Sequence, residues 1–289
     1  MLRGRPRRLR GWSVNRMVPN GLTVLALCAG LTAIRFALEE RWDMAVLAIV
    51  IAAVFDVLDG RAARLLKVTS RFGAELDSLS DFISFGAAPA VLIYQWTLSD
   101  VRGLGWAMAL LFVVCCALRL ARFNSEMEQP EADRPPWTRN YLVGVPAPAA
   151  AGLAIVPVMI WLELGTEFAR LPAVNGFVVT VVALLMISRV PTLSNKRFTV
   201  PINYVLPVLL VVGLMFAALV SAPWPTLIFF GLGYLLSIPV TMFISHRQKM
   251  IENSKLGHPG EPERPESSVE QAAAAGLPHK GNGDAGARP

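Results

Sequence analysis

The sequence predicts an all-α polytopic membrane protein, and three observations support this fold class. Of the 289 residues, 54% are hydrophobic and only 17% are charged, and the mean hydropathy is +0.49, a composition typical of membrane proteins. Apolar stretches of about 20 residues, long enough to cross a bilayer as a helix, recur along the chain. Four aspartates lie within this apolar sequence between Asp56 and Asp81. Carboxylates at membrane depth are costly, so we expect these four to serve a function.

About eight apolar stretches are predicted to span the membrane as helices. The second and third carry the polar aspartate motif, as expected where charged groups face a protein cavity rather than lipid. After the last stretch the composition changes to Pro, Gly, Glu and Ala, which predicts a disordered tail. The predicted spans lie near residues 18–38, 44–66, 75–97, 104–123, 141–162, 171–188, 199–221 and 225–245. They divide the chain into a basic arm (1–16), a membrane domain (17–197), two additional spans (198–247) and the tail (248–289).

The distribution of lysine and arginine predicts that both termini are cytoplasmic, because short cytoplasmic loops retain positive charge. With the N-terminus inside, only Arg41, Arg102 and Arg170 fall in outer loops, and Arg35 lies near the outer end of the first span. The net charge of +6 then reflects topology and attraction to anionic headgroups. No Arg/aromatic nucleic-acid module is visible, so nucleic acid is not a predicted partner. The basic arm precedes a full-length apolar span, which favours a retained arm over a cleaved signal peptide.

Cysteine and histidine side chains are not predicted to take part in catalysis within the membrane domain. Cys28, Cys115 and Cys116 fall within predicted spans without Cys-x-x-Cys spacing, so we interpret them as packing residues. All three histidines lie beyond the last predicted span. Chemistry within the membrane domain is therefore expected to depend on carboxylates.

The spacing of the aspartates predicts two facing helical stripes. Residues spaced i, i+3, i+4, i+7 and i+8 share one face of a helix, and residues repeating every four positions form one stripe on the next. A turn around Thr69–Ser70 would fold the two helices into a hairpin and bring all four carboxylates together. The first stripe contains Asp56, Asp59, Gly60, Ala63 and Arg64, and the second contains Gly73, Asp77 and Asp81.

Four close carboxylates repel one another unless they are neutralised, and a histidine-free oxygen ligand set suits Mg²⁺ or Mn²⁺. Two such ions are plausible, and a metal pair suits phosphoryl transfer because it can bridge phosphate oxygens. The small residues Gly60, Ala63 and Gly73 would let a nucleotide or pyrophosphate approach the backbone closely. The Arg64 guanidinium could bind phosphate through two parallel hydrogen bonds. The alternatives are structural ion pairs or a cation or proton pathway. Four acids against one arginine, clustered on one hairpin, favour an active site.

The full pattern is Asp-x-x-Asp-Gly-x-x-Ala-Arg, eight residues, then Gly-x-x-x-Asp-x-x-x-Asp. It resembles, position for position, the signature of the CDP-alcohol phosphatidyltransferase family. The resemblance implies a membrane-embedded helical enzyme, homodimeric in keeping with the family, that displaces CMP from a CDP-linked lipid with an alcohol and uses a divalent metal. It also implies that Asp56, Asp59 and Asp77 are metal ligands and that Asp81 is a ligand or the general base. By the same resemblance, Gly60, Ala63, Arg64 and Gly73 would contact the CDP group.

Flanking stretches are similar to the phosphatidylserine synthase branch of that family, and the family core would cover roughly residues 15–200. This similarity implies CDP-diacylglycerol as donor, L-serine as acceptor, and a role in phospholipid biosynthesis. The charge topology, together with the lack of a recognisable eukaryotic targeting segment, favours a bacterial inner membrane. The stretches are 18–20 with Thr23, 72–79, 81–90, 117–124, 144–149 and 188–192.

Residue chemistry leaves several assignments open. Asn20 and Thr23 could hydrogen-bond the nucleotide, or could serve as an N-cap and a helix-packing residue. Arg119 and Arg122, spaced i and i+3, could grip a serine carboxylate. They could equally bind the phosphate of glycerol phosphate or inositol phosphate in a sister enzyme, or extend to lipid headgroups. A divalent-cation transporter is the alternative from a different class.

Overall fold

The computed structural model describes residues 14–68, 70–128, 141–188, 191–193 and 205–238. Within these residues the fold is helical apart from one short ladder, which confirms the predicted class. Thirteen residues of the predicted arm (1–13) and the whole predicted tail (248–289) lie outside the described residues. The α-helices are α1 (Val14–Leu38), α2 (Trp42–Leu65), α3 (Arg71–Asp81), α4 (Ala88–Trp96), α5 (Arg102–Glu128), α6 (Ala147–Ala154), α7 (Val156–Leu164), α8 (Pro172–Ile187), α9 (Val205–Ser221) and α10 (Pro223–Ile238).

Four helical stretches are long and apolar enough to cross a membrane: Met17–Leu38, Arg71–Trp96, Leu98–Ser125 and Ala147–Leu164. Helices α8, α9 and α10 are apolar but shorter. Helix α2 has 24 residues, but its second half carries the charged motif. Many large apolar side chains, including Leu31, Leu47, Val54 and Leu110, are exposed on the helices. Exposed apolar surface on this scale indicates an environment of lipid, and the chain is an integral membrane protein.

Small residues let α1 pack closely against its neighbours. Ala33 and Ala37 of α1 are fully buried, as are Ala45 and Ala52 of the antiparallel neighbour α2. A Cβ added at Gly30 would collide with the Ser84 side-chain oxygen and would lie 2.8 Å from the Ser84 Cα. Close approach of small residues is a common way for helices to associate in membranes. The α1 helix packs directly against both helices that carry the aspartates, α2 and α3.

A π-helical segment, Phe82–Ala87, joins α3 to α4 without a break. Pro89 follows at the start of α4 and has no N–H to donate, so the regular i to i−4 pattern cannot continue through it. The wider π-turn accommodates this missing donor, and such turns are frequent near functional sites. Here the π-helical segment begins at the residue after Asp81, the last aspartate of the motif.

Two three-residue strands, β1 (Tyr141–Val143) and β2 (Pro191–Leu193), form an antiparallel ladder that the sequence did not predict. The fifth predicted span was therefore wrong at its start, because the helix begins at Ala147 rather than near residue 141. Gly144 explains the difference. Its φ is +81°, and a Cβ there would lie 2.5 Å from the Met186 carbonyl oxygen, so the chain must turn at a glycine before the helix can begin.

Candidate active site

The aspartate motif lies on a helical hairpin, as its spacing predicts. Helix α2 stays regular through the first half of the motif and ends at Leu65. Ser70 caps the N-terminus of α3, and its side-chain oxygen accepts a 2.9 Å hydrogen bond from the backbone N–H of Gly73. The tight reversal between them includes Lys67 with φ at +50°. Of the predicted turn residues, Thr69 lies outside the described residues, and Ser70 is the cap that starts the second helix.

Three of the four carboxylates form one compact group. One carboxylate oxygen from each of Asp56, Asp59 and Asp77 lies within 4.8 Å of the other two. Asp59 is buried, and the other two are half-buried. Oxygen ligands at this separation, without nitrogen or sulfur, match the preference of hard divalent cations. The group fits a divalent metal ion. Its members come from the two helices of one hairpin, so a motif that is local in sequence is enough to form the site.

Asp81 lies beside this group but has different neighbours. Its carboxyl lies beside that of Asp56. On its other side Asp81 interacts electrostatically with Arg119 of α5. Asp81 is therefore placed between the other carboxylates and a cation on a different helix. This position distinguishes it from Asp59 and Asp77.

Helix α1 packs against the carboxylate group and holds it in place. The Thr23 hydroxyl donates a 2.7 Å hydrogen bond to the Asp59 carboxylate and also approaches the Pro19 carbonyl at 3.1 Å. Thr23 is only 4% exposed and Asp59 only 5%. The Ser80 hydroxyl donates to the Thr23 carbonyl oxygen at 3.2 Å. One buried threonine thus connects α1 to both helices of the hairpin and orients Asp59.

A cleft of about 170 Å³ opens beside the carboxylates between α1, α2 and α3. A Cβ added at Gly73 would lie 2.9 Å from the Asn20 side-chain oxygen, so the missing side chain makes room for Asn20. Arg64 folds back along α2, where its Nε donates a 2.9 Å hydrogen bond to the Gly60 carbonyl. The predicted nucleotide-contacting residues that line the cleft are Asn20, Thr23, Gly60, Ala63 and Gly73.

Residues 16–187 match the family model described as CDP-alcohol phosphatidyltransferase. The match covers more than half of the chain and includes the whole carboxylate hairpin. The chain belongs to the CDP-alcohol phosphatidyltransferase family. Residues 203–239, which contain α9 and α10, also match a second model, described as CDP-alcohol phosphatidyltransferase 2.

Several relatives of this phosphatidyltransferase are named CDP-diacylglycerol–serine O-phosphatidyltransferase. The protein from Mycobacterium leprae is 39% identical over 247 residues, which cover 86% of this chain and 80% of the relative. A Helicobacter pylori protein of the same name is 33% identical over 69% of this chain and 81% of the relative. The Bacillus subtilis protein is 34% identical over 48% of this chain and 73% of its own length.

The two arginines predicted to bind the acceptor lie in different surroundings in this phosphatidyltransferase. Arg119 lies near Asp81, and its Nε is buried without a hydrogen-bond partner among the described residues. Arg122 instead donates from Nη1 to the Ile187 carbonyl at 3.3 Å, at the end of α8. The α5 helix therefore points one arginine toward the carboxylates and uses the other to bind the end of a neighbouring helix.

Sequence reasoning missed several polar residues that position the site. Ser80 and the hydrogen-bonded pair of Ser78 with Asn124, which links α3 to α5, support the carboxylate hairpin. Ser78 and Asn124 fall within the stretches that resemble the family, but short polar residues in spans are ambiguous without knowledge of the neighbouring helix. Tyr234 of α10 was also missed, although a tyrosine in a predicted span is a recognisable signal.

Proposed function

We propose that this protein transfers the phosphatidyl group of CDP-diacylglycerol to L-serine, giving phosphatidylserine and CMP. The observation that carries the proposal is the match of 86% of the chain to a relative named for this activity. The carboxylate group and the adjoining cleft support it, because they combine a divalent-metal ligand set with space for a phosphorylated group.

In this proposal Asp56, Asp59 and Asp77 hold Mg²⁺ or Mn²⁺, and Asp81 completes the ligand set for a second ion. When bound, the metal supplies positive charge that stabilises the phosphate oxygens and the leaving group. Thr23 keeps the Asp59 carboxylate oriented through its 2.7 Å hydrogen bond. Support of this kind around a metal ligand commonly strengthens metal affinity.

The CDP group of the donor would occupy the cleft between α1, α2 and α3. Gly60, Ala63 and Gly73 expose backbone to the cleft because they carry little or no side chain. Asn20 would hydrogen-bond the nucleotide. Arg64, which lies against the Gly60 carbonyl at the edge of the cleft, would turn its guanidinium to phosphate.

Asp81 would act as general base and accept the proton of the serine hydroxyl. The serine oxygen attacks the β-phosphorus, which carries the diacylglycerol, and the bond from that phosphorus to the bridging oxygen breaks as CMP leaves. The position of Asp81 between Asp56 and Arg119 supports this role, because it borders both the carboxylate group and the α5 helix.

Arg119 is the better candidate to bind the acceptor carboxylate. It faces Asp81, whereas Arg122 already donates to the Ile187 carbonyl. The Arg119 Nε is buried without a hydrogen-bond partner among the described residues, and such a donor is costly, so a site for an anion beside it is expected.

Membranes containing the protein should release CMP from CDP-diacylglycerol when Mn²⁺ or Mg²⁺ and labelled L-serine are present. Glycerol phosphate and inositol phosphate serve as alternative acceptors, and a chelator serves as the metal control. Release with another acceptor but not with serine would identify a sister enzyme. No release with any acceptor, combined with metal-dependent cation uptake, would identify a transporter.

We further propose that the chain crosses a bacterial inner membrane eight times with both termini in the cytoplasm and that it forms a homodimer. The distribution of Lys and Arg supports the orientation. Helix α2 and the shorter α8, α9 and α10 would supply the spans beyond the four long apolar ones. Reporter fusions at each terminus test the topology, and crosslinking in native membranes tests the dimer, which rests on the family resemblance.

A further inference from the structure

Tyr234 presents a buried hydroxyl that nothing in the described part of the chain satisfies. It lies on α10, outside the residues that match the first family model. A buried hydroxyl without a hydrogen-bond partner costs free energy and calls for an explanation. Since Phe would fill the same space without that cost, the hydroxyl itself is expected to have a function.

Arg119 has the same property and lies in the same region. Its Nε is buried without a hydrogen-bond partner, and it forms no ion pair in the described part of the chain. Arg119 and Tyr234 interact electrostatically with each other, but no hydrogen bond joins them. Two buried donor groups that interact electrostatically without being hydrogen-bonded to each other could both be satisfied by one acceptor group.

The position of α10 explains how a residue so distant in sequence reaches the site. A mostly apolar cavity of about 310 Å³ is lined by residues of both α2 and α10, including Ile49, Ala53, Phe230 and Tyr234. Phe85 of the π-helical segment also lines it. The Tyr234 ring borders this apolar cavity while its hydroxyl lies near Arg119, an arrangement that suits the amphipathic tyrosine side chain.

We propose that the Tyr234 hydroxyl and the Arg119 guanidinium together bind the carboxylate of the amino-acid acceptor, so that α10 contributes to acceptor specificity. This inference rests on the proposed serine transfer. A guanidinium can only donate hydrogen bonds, and a tyrosine hydroxyl beside it can donate as well, so an anion is the matching ligand.

The chemistry of serine is consistent with the spacing of these groups along the site. Two carbon atoms separate the hydroxyl of serine from its carboxyl carbon. One serine molecule could therefore present its hydroxyl to Asp81 and its carboxylate to Arg119, since these two side chains are neighbours. The Tyr234 hydroxyl, on α10, would bind the same carboxylate.

The test is the Tyr234→Phe variant of the full-length protein in membranes, because it removes one hydroxyl and keeps the ring that lines the cavity. We expect the serine KM to rise about 10- to 100-fold, the loss typical of one hydrogen bond to a charged group, while the CDP-diacylglycerol KM stays within twofold. Tyr94→Phe is the matched control, because Tyr94 packs edge-to-face on Trp106 and both KM values should remain unchanged.

A second acceptor separates carboxylate binding from a general structural effect. In L-serinamide a neutral amide replaces the carboxylate, and its inhibition constant against serine should change less than threefold in Tyr234→Phe. An unchanged serine KM, or an equal loss of affinity for serine and serinamide, would overturn the inference. If wild-type protein released no CMP with serine, the proposed function itself would fail, which is a distinguishable result.

Discussion

The Thr23 hydroxyl lies 2.7 Å from the Asp59 carboxylate and donates a buried hydrogen bond across the α1–α2 interface. Through this contact a helix that contributes no carboxylate controls the orientation of one proposed metal ligand.

Replacing Thr23 with Val should therefore weaken metal activation. The valine keeps the shape of the side chain but leaves Asp59 without its orienting donor, and loss of such a partner typically lowers metal affinity 10- to 100-fold. The measurement is the Mn²⁺ concentration that gives half-maximal CMP release. Thr32→Val is the matched control on the same helix, since the exposed Thr32 hydroxyl donates to the Cys28 carbonyl within α1. Equal metal dependence of both variants would contradict the role of Thr23.

Gly73→Ala should impair donor binding with little loss of folded protein. The added methyl group would lie 2.9 Å from the Asn20 oxygen and 3.0 Å from the Ser70 oxygen. Asn20 can move, and Ser70, which caps α3 through the Gly73 N–H, needs to shift by only a few tenths of an ångström, so the cost to folding is small. The moved Asn20 would narrow the cleft. We expect the CDP-diacylglycerol KM to rise about tenfold, which corresponds to a loss of about 1.4 kcal/mol in binding free energy.

Gly21→Ala provides the comparison for this substitution, because a Cβ at Gly21 meets nothing within 4 Å. The donor KM of Gly21→Ala should match wild type. If Gly73→Ala also retained the wild-type donor KM, the cleft between α1 and α3 would not hold the CDP group.

Asp81→Asn should strongly lower turnover while the protein still binds CDP-diacylglycerol, because the compact group of Asp56, Asp59 and Asp77 keeps its carboxylates. The amide cannot accept the serine proton, and loss of a general base typically lowers kcat by 10²- to 10⁴-fold. Asp59→Asn should instead raise both the metal requirement and the donor KM, because Asp59 belongs to the compact carboxylate group. Binding of labelled CDP-diacylglycerol and single-turnover CMP release separate the two effects. Wild-type turnover in Asp81→Asn would rule out the base assignment.

Sequence spacing predicted the local half of this site. Intervals of three and four residues determine which side chains share a helix face, so spacing alone pairs Asp56 with Asp59 and Asp77 with Asp81. The rotation of one helix against another depends on packing, such as the close fit of Gly30 on Ser84. For this reason the sequence could not show whether Thr23 contacts Asp59 or only packs between helices. It also could not show that Tyr234 interacts with Arg119.

Sequence spacing also could not distinguish Arg119 from Arg122, which lie on the same face of α5. In the structure the two arginines have different surroundings, and this difference leads to a prediction for each. Arg122→Ala removes the hydrogen bond to the Ile187 carbonyl, so it should lower stability by about 1 kcal/mol and leave the serine KM unchanged. Arg119→Ala should raise the serine KM at least tenfold, because the acceptor carboxylate loses its guanidinium partner. Thermal unfolding in detergent and serine titrations of both variants provide the comparison. A raised serine KM in Arg122→Ala, with a normal KM in Arg119→Ala, would reverse the assignment and place the acceptor at the α5–α8 contact.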